Sequence, residues 1–111
     1  MVARGDLGVQ LPIEQVPFVQ KQILNAANSR GKISITATEM LQSMKTAYRP
    51  TRAEVTDITN AILEGTDAVM LSAETSIGDH PNRVVEVMST ICSETDARND
   101  HQHLCLKNFH L

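Results

Sequence analysis

The first of three segments that could support chemistry is Val2–Gly8, in which Asp6 lies between two glycines, Gly5 and Gly8. Glycines allow the backbone to turn sharply and to approach a ligand, so that successive N–H groups can face an anion. A carboxylate oxygen of Asp6 is the kind of ligand that Mg²⁺ prefers. The segment therefore predicts either a site for an anion and a metal ion or an ordinary turn from a strand into a loop.

A second segment, Ile35–Leu41, is typical of a strand that ends in hydroxyl groups where a short helix begins. The Thr38 hydroxyl could cap this helix, or it could bind a carboxylate or phosphate at the helix N-terminus. Capping is the commoner role for a threonine at such a position. The residue pattern alone thus favours a structural role for Thr38 over ligand binding.

The third segment, Val69–Thr75, carries Ser72 and Glu74 on one face of a predicted strand, because side chains alternate along a strand. The two side chains could form a proton-relay pair. They could equally form the solvated end of a strand, and the residues alone favour this second interpretation.

Strands and helices must position these segments, and three strand-like runs alternate with three helical patterns. The runs are Met1–Asp6, Lys32–Thr38 and Thr66–Ala73. They start about 30 residues apart, close to the length of one strand–helix unit in a (β/α)8 barrel. Strands that alternate with helices pair in parallel through crossovers. We therefore predict an α/β fold, a partial TIM barrel with helices outside, in which the two outer strands have unpaired edges.

The predicted helices each have an apolar stripe and a recognisable start or end. The first contains or adjoins Pro12 and Pro17 and stops near Gly31, and the second opens with a capping box formed by Thr51 and Glu54. The third begins at Pro81, as proline favours the first helical turn. The stripes predicted to be buried are Val16, Val19, Ile23 and Ala27 in the first helix, Val55, Ile58 and Ile62 in the second, and Val84, Val87, Met88 and Ile91 in the third.

The faces of the strands can also be assigned from their alternation. In the second run, Ile33, Ile35 and Ala37 lie on one side, which we expect helices to cover. Ser34, Thr36 and Thr38 lie on the other side, which becomes polar toward the C-terminal end of the strand. In a (β/α) barrel, that end carries the catalytic groups.

Composition narrows the class of protein. The net charge is −3, which predicts no nucleic-acid surface and no polybasic membrane anchor. No apolar run could cross a bilayer, and no signal peptide is recognisable. With Cys92 and Cys105 as the two cysteines, we expect reduced thiols and a cytoplasmic location. His101, His103 and Cys105 alternate, but the C-x₂₋₄-C pair of zinc sites is absent, so we do not favour a metal site there.

Four ordered segments together resemble the pyruvate kinase family. The likeness covers roughly residues 1–95 and leaves 96–111 as a divergent tail that we expect to be unstructured. It implies units six to eight of that family's catalytic barrel. The segments are MVARGDLG at 1–8, TATEMLQSM at 36–44, RPTRAE at 49–54 and MLSAET at 70–75.

The resemblance implies a function and a site. Members of the family transfer the phosphoryl group of phosphoenolpyruvate to ADP, giving pyruvate and ATP in glycolysis, with Mg²⁺ and usually K⁺. By resemblance, the amides of Gly5 and Asp6 hold the substrate carboxylate, Asp6 also binds Mg²⁺, and the Thr38 hydroxyl contacts the substrate. Ser72 and Glu74 belong to the water network that protonates the enolate.

The chain also departs from the family pattern. Glu39 stands where glutamine is common, and Ile77 where a lysine near the nucleotide is common. The family's catalytic lysine, second magnesium carboxylate and K⁺ site lie before the position matched by Met1. We therefore expect the chain alone to be inactive, loosely packed and prone to association, whereas the family is usually homotetrameric.

Two alternatives remain beside an incomplete pyruvate kinase. One is a non-catalytic interaction module or pseudogene-like product, whose exposed strand edges pair with another barrel. The other is a different phosphoenolpyruvate or aldolase-type barrel with a Gly-Asp loop, against which the segments Arg49–Glu54 and Met70–Thr75 argue.

Overall fold

A computed structural model of the chain describes residues 1–110, with side chains described for residues 1–99. Three strands form a parallel sheet in the order β1-β2-β3, and five α-helices follow or connect them. The strands are β1 (Val2–Ala3), β2 (Ile35–Ala37) and β3 (Ala68–Val69). The helices are α1 (Arg4–Gln10), α2 (Val16–Ser29), α3 (Arg52–Leu63), α4 (Ala73–Ser76) and α5 (Pro81–His110).

The parallel α/β architecture predicted from the alternating pattern is confirmed, but the strands are shorter than predicted. The pairing joins Val2 to Thr36 and Thr36 to Val69, so these three residues share one face of the sheet. The first predicted strand is wrong beyond Ala3, because the chain enters α1 directly at Arg4. Short strands bring the segments that follow them close to one end of the sheet.

Burial along the second strand is the reverse of that predicted, except at Ala37, which is buried as predicted. Ser34 and Thr36 are buried, whereas Ile33 is 82% exposed and Ile35 is 37% exposed. Burial of these two hydroxyl-bearing residues costs little free energy because both are hydrogen-bonded. The Ser34 amide donates to the Asp67 carboxylate over 2.8 Å. The side of the strand that carries Thr36, expected to be the one not covered by helices, is therefore covered at Ser34 and Thr36.

The buried Thr36 hydroxyl also has a hydrogen-bond partner, since it donates to the hydroxyl oxygen of Thr66 over 2.9 Å. The face that Thr36 shares with Val69 is turned toward the main apolar core. The opposite face, which includes Ile35, is the open face of the sheet. We call this side of β2 the open face.

Helices α3 and α5 supply most of the core, and their predicted stripes are confirmed. The capping box at the start of α3 is present, with Thr51 accepting from the Glu54 amide and Glu54 accepting from the Thr51 amide. α3 stops at Leu63, and Gly65 follows with a φ of +100°. The buried core cluster consists of Met40, Leu41, Met44, Ile58, Ala61, Ile62, Val84, Val87, Met88 and Ile91.

The stripe predicted for α2 is wrong by one position along the helix. The buried side chains are Gln20 and Leu24, while Val19 and Ile23 are only half-buried. A polar side chain can occupy the buried face because the Gln20 amide donates to Glu64 over 3.4 Å. An apolar pattern could not reveal a buried face that contains glutamine.

Helix α5 does not stop where a tail was predicted to begin. Residues 96–110 continue it, so the predicted unstructured tail is helical over these residues. Local contacts support the continuation, because Arg98 pairs with Glu94 one turn earlier and the Thr95 hydroxyl donates to the Ile91 carbonyl. The side chains of the alternating histidines and of Cys105 lie outside the described residues. Neither α5 nor any other described helix is long and apolar enough to cross a membrane.

Candidate functional site

The ends of β1 and β2 bring together two of the predicted site residues. Ala3 and Ala37 pair at the end of the sheet, and the chain then continues into Arg4–Asp6 on one side and Thr38 on the other. The Gly5 amide donates to Oγ1 of Thr38 over 2.8 Å. Gly5 and Thr38, which the family resemblance assigns to the same substrate, are therefore in direct contact.

The amides of Gly5 and Asp6 are presented by the first turn of α1, which differs from the predicted glycine turn. Neither Gly5 nor Gly8 has a positive φ. First-turn amides have no carbonyl partner inside their own helix, so they are free to bond elsewhere. A helix start, rather than a glycine-rich loop, makes these N–H groups available.

Thr38 and Glu39 have a strained backbone. Their φ angles are +72° and +57°, in the left-handed region that residues with a side chain rarely adopt. Such conformations cost about 1–3 kcal/mol each and concentrate at functional sites. No helix starts here, since the next helical segment is the 3₁₀ turn Gln42–Lys45, whose N-cap is Leu41. The capping role favoured for Thr38 is therefore wrong.

Arg4 holds this strained segment, a role that the sequence did not indicate. Its side chain is 12% exposed, and its Nη2 donates to the Thr38 carbonyl over 2.6 Å. Nε donates to the Ala37 carbonyl over 3.2 Å. Nη1 contacts both carboxylate oxygens of Asp57, over 2.6 and 2.7 Å. In the sequence, Arg4 is simply an arginine directly after a strand, and this pattern is too common to indicate a functional role.

Asp6 is exposed, and no hydrogen bond or ion pair joins its carboxylate to another described residue. Among the described side chains, no three carboxylate, histidine or cysteine groups lie close enough to hold a metal ion. Magnesium is commonly bound through one or two carboxylates together with substrate phosphates. An exposed, unpaired Asp6 therefore fits as one carboxylate ligand of such an ion.

Ser72 and Glu74 lie at the start of α4 instead of on a strand. β3 ends at Val69, Ser72 is the N-cap residue of α4, and Glu74 is 1% exposed. The Glu74 carboxylate accepts from the Ser72 amide over 3.0 Å and from the Leu41 amide over 3.2 Å. The solvated strand end is therefore wrong. The two predicted catalytic residues are joined by a hydrogen bond from the Ser72 backbone amide, not from its hydroxyl, to the Glu74 carboxylate.

The same carboxylate connects the two parts of the candidate site. Leu41 lies three residues after Thr38, so Glu74 anchors the end of the strained segment. Arg4 anchors its beginning. The segment Thr38–Leu41 is thus fixed at both ends by buried or half-buried charged side chains.

A large groove lies on the other side of Arg4. Its volume is about 780 Å³, and it is lined by residues that include Arg4, Gln20, Glu39, Arg52 and Asp57. Gly5, Asp6, Thr38, Ser72 and Glu74 do not line it. The groove therefore shares Arg4 with the contacts described above, but none of the predicted site residues.

The remaining thiol of the described residues shows no sign of reactivity. Burial raises the pKa of the Cys92 thiol, and the nearby Asp96 raises it further. A thiol with a raised pKa is a poor nucleophile. Cys92 is a free thiol that packs against the apolar core.

Comparison with known proteins identifies one family. A model described as "Pyruvate kinase, barrel domain" matches residues 1–85. A pyruvate kinase from Bacillus licheniformis is 51% identical over 104 residues, which cover 94% of this chain and 18% of that protein. One from Thermococcus litoralis is 57% identical over 96 residues, 86% of this chain and 20% of that protein.

A solved structure agrees. A pyruvate kinase from Cryptosporidium parvum superposes with a TM-score of 0.84 at 48% identity, covering 86% of this chain and 19% of the other. The chain therefore spans about a fifth of the length of the relatives that it matches.

Proposed function

The chain belongs to the pyruvate kinase family, and from that premise we propose that it contributes part of a site for phosphoenolpyruvate and Mg²⁺. The observation that carries the proposal is the contact between the Gly5 amide and the Thr38 hydroxyl, two groups assigned to the same substrate. The proposed reaction is phosphoryl transfer from phosphoenolpyruvate to ADP. Units six to eight of the barrel, a homotetramer and a cytoplasmic location belong to the same proposal.

In the proposed site, the first-turn amides of α1 bind the substrate carboxylate. The positive end of a helix favours an anion, and the Asp6 amide has no partner inside α1. The Thr38 hydroxyl, which now accepts from Gly5, can donate to the same substrate. Together these groups orient the phosphoryl donor, and orientation contributes much of the catalysis of phosphoryl transfer.

The Asp6 carboxylate would hold Mg²⁺, and K⁺ would bind outside this segment. A bound Mg²⁺ neutralises the charge of the transferring group and orients its oxygens. Asp6 suits this role because its carboxylate is exposed and has no partner among the described residues.

Ser72 and Glu74 would support protonation of the enolate. Glu74 fixes the Ser72 backbone at the start of α4, which leaves the Ser72 hydroxyl free to order water. The buried carboxylate itself is occupied by two amides. We therefore assign Ser72 to the water network and Glu74 to its support.

The test uses a chimera, because the chain spans 18% of the Bacillus licheniformis relative. In this "grafted enzyme", residues 1–95 of the chain replace the matching segment of that relative. We expect pyruvate formation in a coupled assay to require Mg²⁺, and we expect Thr38→Val to lower kcat/KM for phosphoenolpyruvate without abolishing turnover. A folded grafted enzyme without turnover would refute the proposed function.

The chain by itself should give no measurable turnover. Losing even one electrostatic donor can cost a factor on the order of 10²–10³ in rate, and the family places several such groups outside these residues. Turnover above background by the purified 111-residue chain would refute this part of the proposal.

A second candidate is an interaction module, and the open face favours it. Ile33 and Ile35 are exposed there, and β1 and β3 each have an unpaired edge. Exposed edges are templates for pairing with other chains. Analytical ultracentrifugation of the 111-residue chain separates the candidates. An interaction module predicts a complex of defined stoichiometry without phosphoenolpyruvate or Mg²⁺, whereas an incomplete barrel predicts association into species of mixed size.

A further inference from the structure

Arg4 makes contacts with three structural elements at once. Its guanidinium bonds the carbonyl of Ala37 at the end of β2, the carbonyl of Thr38 just beyond it, and the carboxylate of Asp57 on α3. Nη2 also lies 3.0 Å from Sδ of Met40. The side chain therefore fills the space between the strained segment and α3.

The geometry of these contacts requires a guanidinium. Arginine carries five N–H donors in a rigid planar fork, and here Nε, Nη1 and Nη2 each have a different partner. A lysine ammonium is a single point of charge on a flexible chain and cannot reach all three partners at once. A lysine at position 4 would therefore keep the positive charge but lose some of these hydrogen bonds.

Asp57 anchors the Arg4 side chain to helix α3. It lies on α3 beside Ile58, which is completely buried in the core, and α3 is closed at its start by the capping box. A single nitrogen, Nη1, lies 2.6 and 2.7 Å from the two carboxylate oxygens of Asp57, so this ion pair fixes the position of that end of the guanidinium. Movement of the strained segment would therefore break its bonds to an arginine that is anchored on α3.

We propose that Arg4 is a positioning residue that, braced by Asp57, holds Thr38 in its left-handed conformation so that the Thr38 hydroxyl faces the Gly5 amide and the substrate. The inference rests on the proposed function of Thr38. Arg4 itself touches neither substrate nor metal in this account. It acts by offsetting the strain of Thr38 and Glu39 through bonds to the preceding carbonyls.

The experiment compares Arg4→Lys and Asp57→Asn with a control pair in the grafted enzyme. Arg83→Lys and Glu86→Gln are the controls, because these residues form an exposed ion pair on α5. Two properties are measured: kcat/KM for phosphoenolpyruvate, and deuterium exchange of the Gly5 amide by mass spectrometry. We expect both test variants to lower kcat/KM by a factor on the order of 10², since small misplacements of a binding group have effects of this size.

Exchange of the Gly5 amide should become faster in both test variants and stay unchanged in the controls. A role limited to charge predicts no change in Gly5 exchange for Arg4→Lys, because lysine keeps the charge. Repeating Arg4→Lys in a Thr38→Val background tests the route of action. If Arg4 acts through Thr38, the second substitution should cost little once the hydroxyl is gone.

The outcomes are distinguishable. Arg4→Lys with the kcat/KM and the Gly5 exchange of the controls would overturn the proposal, as would full additivity with Thr38→Val. A grafted parent that folds without turnover would refute the proposed function. The exchange measurement would then still decide whether Arg4 holds Thr38.

Discussion

The Gly5 amide and the Thr38 hydroxyl, 33 positions apart, are joined by a 2.8 Å hydrogen bond. Both groups are assigned to the same substrate in the proposed site, so the bond keeps the amide satisfied when no substrate is bound. Substrate binding would exchange this bond for bonds to the ligand. The free site is therefore organised without leaving a buried polar group unpaired.

The strain at Thr38 can be separated from its hydroxyl. Thr38→Gly and Glu39→Gly both place glycine at a positive φ, so either should leave stability unchanged or raise it by up to about 1 kcal/mol. Only Thr38→Gly removes the hydroxyl, and we expect it to raise the KM for phosphoenolpyruvate by about tenfold or more. Steady-state kinetics and thermal inactivation of the grafted enzyme provide the comparison. Equal KM values for the two variants would exclude a substrate contact by Thr38.

The metal assignment rests on Asp6, and Glu39 provides a matched control nearby. Asp6→Asn removes the carboxylate charge from a proposed Mg²⁺ ligand, whereas Glu39→Gln removes the same charge from its neighbourhood. We expect Asp6→Asn to weaken Mg²⁺-dependent activity far more than Glu39→Gln does. Magnesium titrations of both variants of the grafted enzyme measure the difference. Equal, mild effects would remove Asp6 from the metal site.

Two glycines offer a test of the packing behind Glu74. A Cβ at Gly78 would overlap the backbone carbonyl of Glu74, whereas a Cβ at Gly8 would meet nothing within 4 Å. We expect Gly78→Ala to destabilise the grafted enzyme by about 1–3 kcal/mol and to lower its activity by moving α4. Gly8→Ala lies inside helix α1 and should be neutral or stabilising. Urea titrations followed by circular dichroism test the contrast, which similar midpoints for the two variants would contradict.

Glu54 predicts a pH dependence of stability. Burial raises its pKa, but hydrogen bonds from the Ser43 hydroxyl, the Ser43 amide and the Thr51 amide outweigh burial, so the pKa lies below the usual glutamate value. Because folding lowers this pKa, the stabilisation is complete above the unfolded-state pKa of about 4.3 and is lost as the pH falls through the lower folded-state value.

The matching experiment is thermal unfolding of the grafted enzyme at several pH values. Glu54→Gln should cost about 1 kcal/mol at pH 7, the typical worth of a helix cap, and less as the pH falls below 4. Glu86→Gln is the control, since its exposed ion pair contributes little. A cost for Glu54→Gln that is the same at both ends of the pH range would contradict this account.

Helices with a strong local signal could be predicted from the sequence. The capping box of Thr51 and Glu54 and the proline at position 81 mark where α3 and α5 begin, and apolar spacing identified Ile58 and Val84 as buried. These features depend on neighbours in sequence. They are therefore visible without knowledge of the fold.

Features that depend on partners distant in sequence could not be predicted. Thr36 is buried because Thr66 satisfies its hydroxyl, and Gln20 is buried because Glu64 is within reach. The positive φ of Thr38 follows the same rule, since Arg4 and Glu74 hold the segment from outside it. The family resemblance named the residues of the candidate site, but not the side chains that position them.

The most direct test of the account is a crystal structure of the grafted enzyme with Mn²⁺ in place of Mg²⁺ and an unreactive dicarboxylate mimic of the enolate. The account predicts an anomalous manganese peak about 2.1 Å from a carboxylate oxygen of Asp6. It also predicts a carboxylate of the mimic on the amides of Gly5 and Asp6, with the Thr38 hydroxyl in contact. A fully occupied manganese site that excludes Asp6, with the mimic bound away from α1, would contradict it.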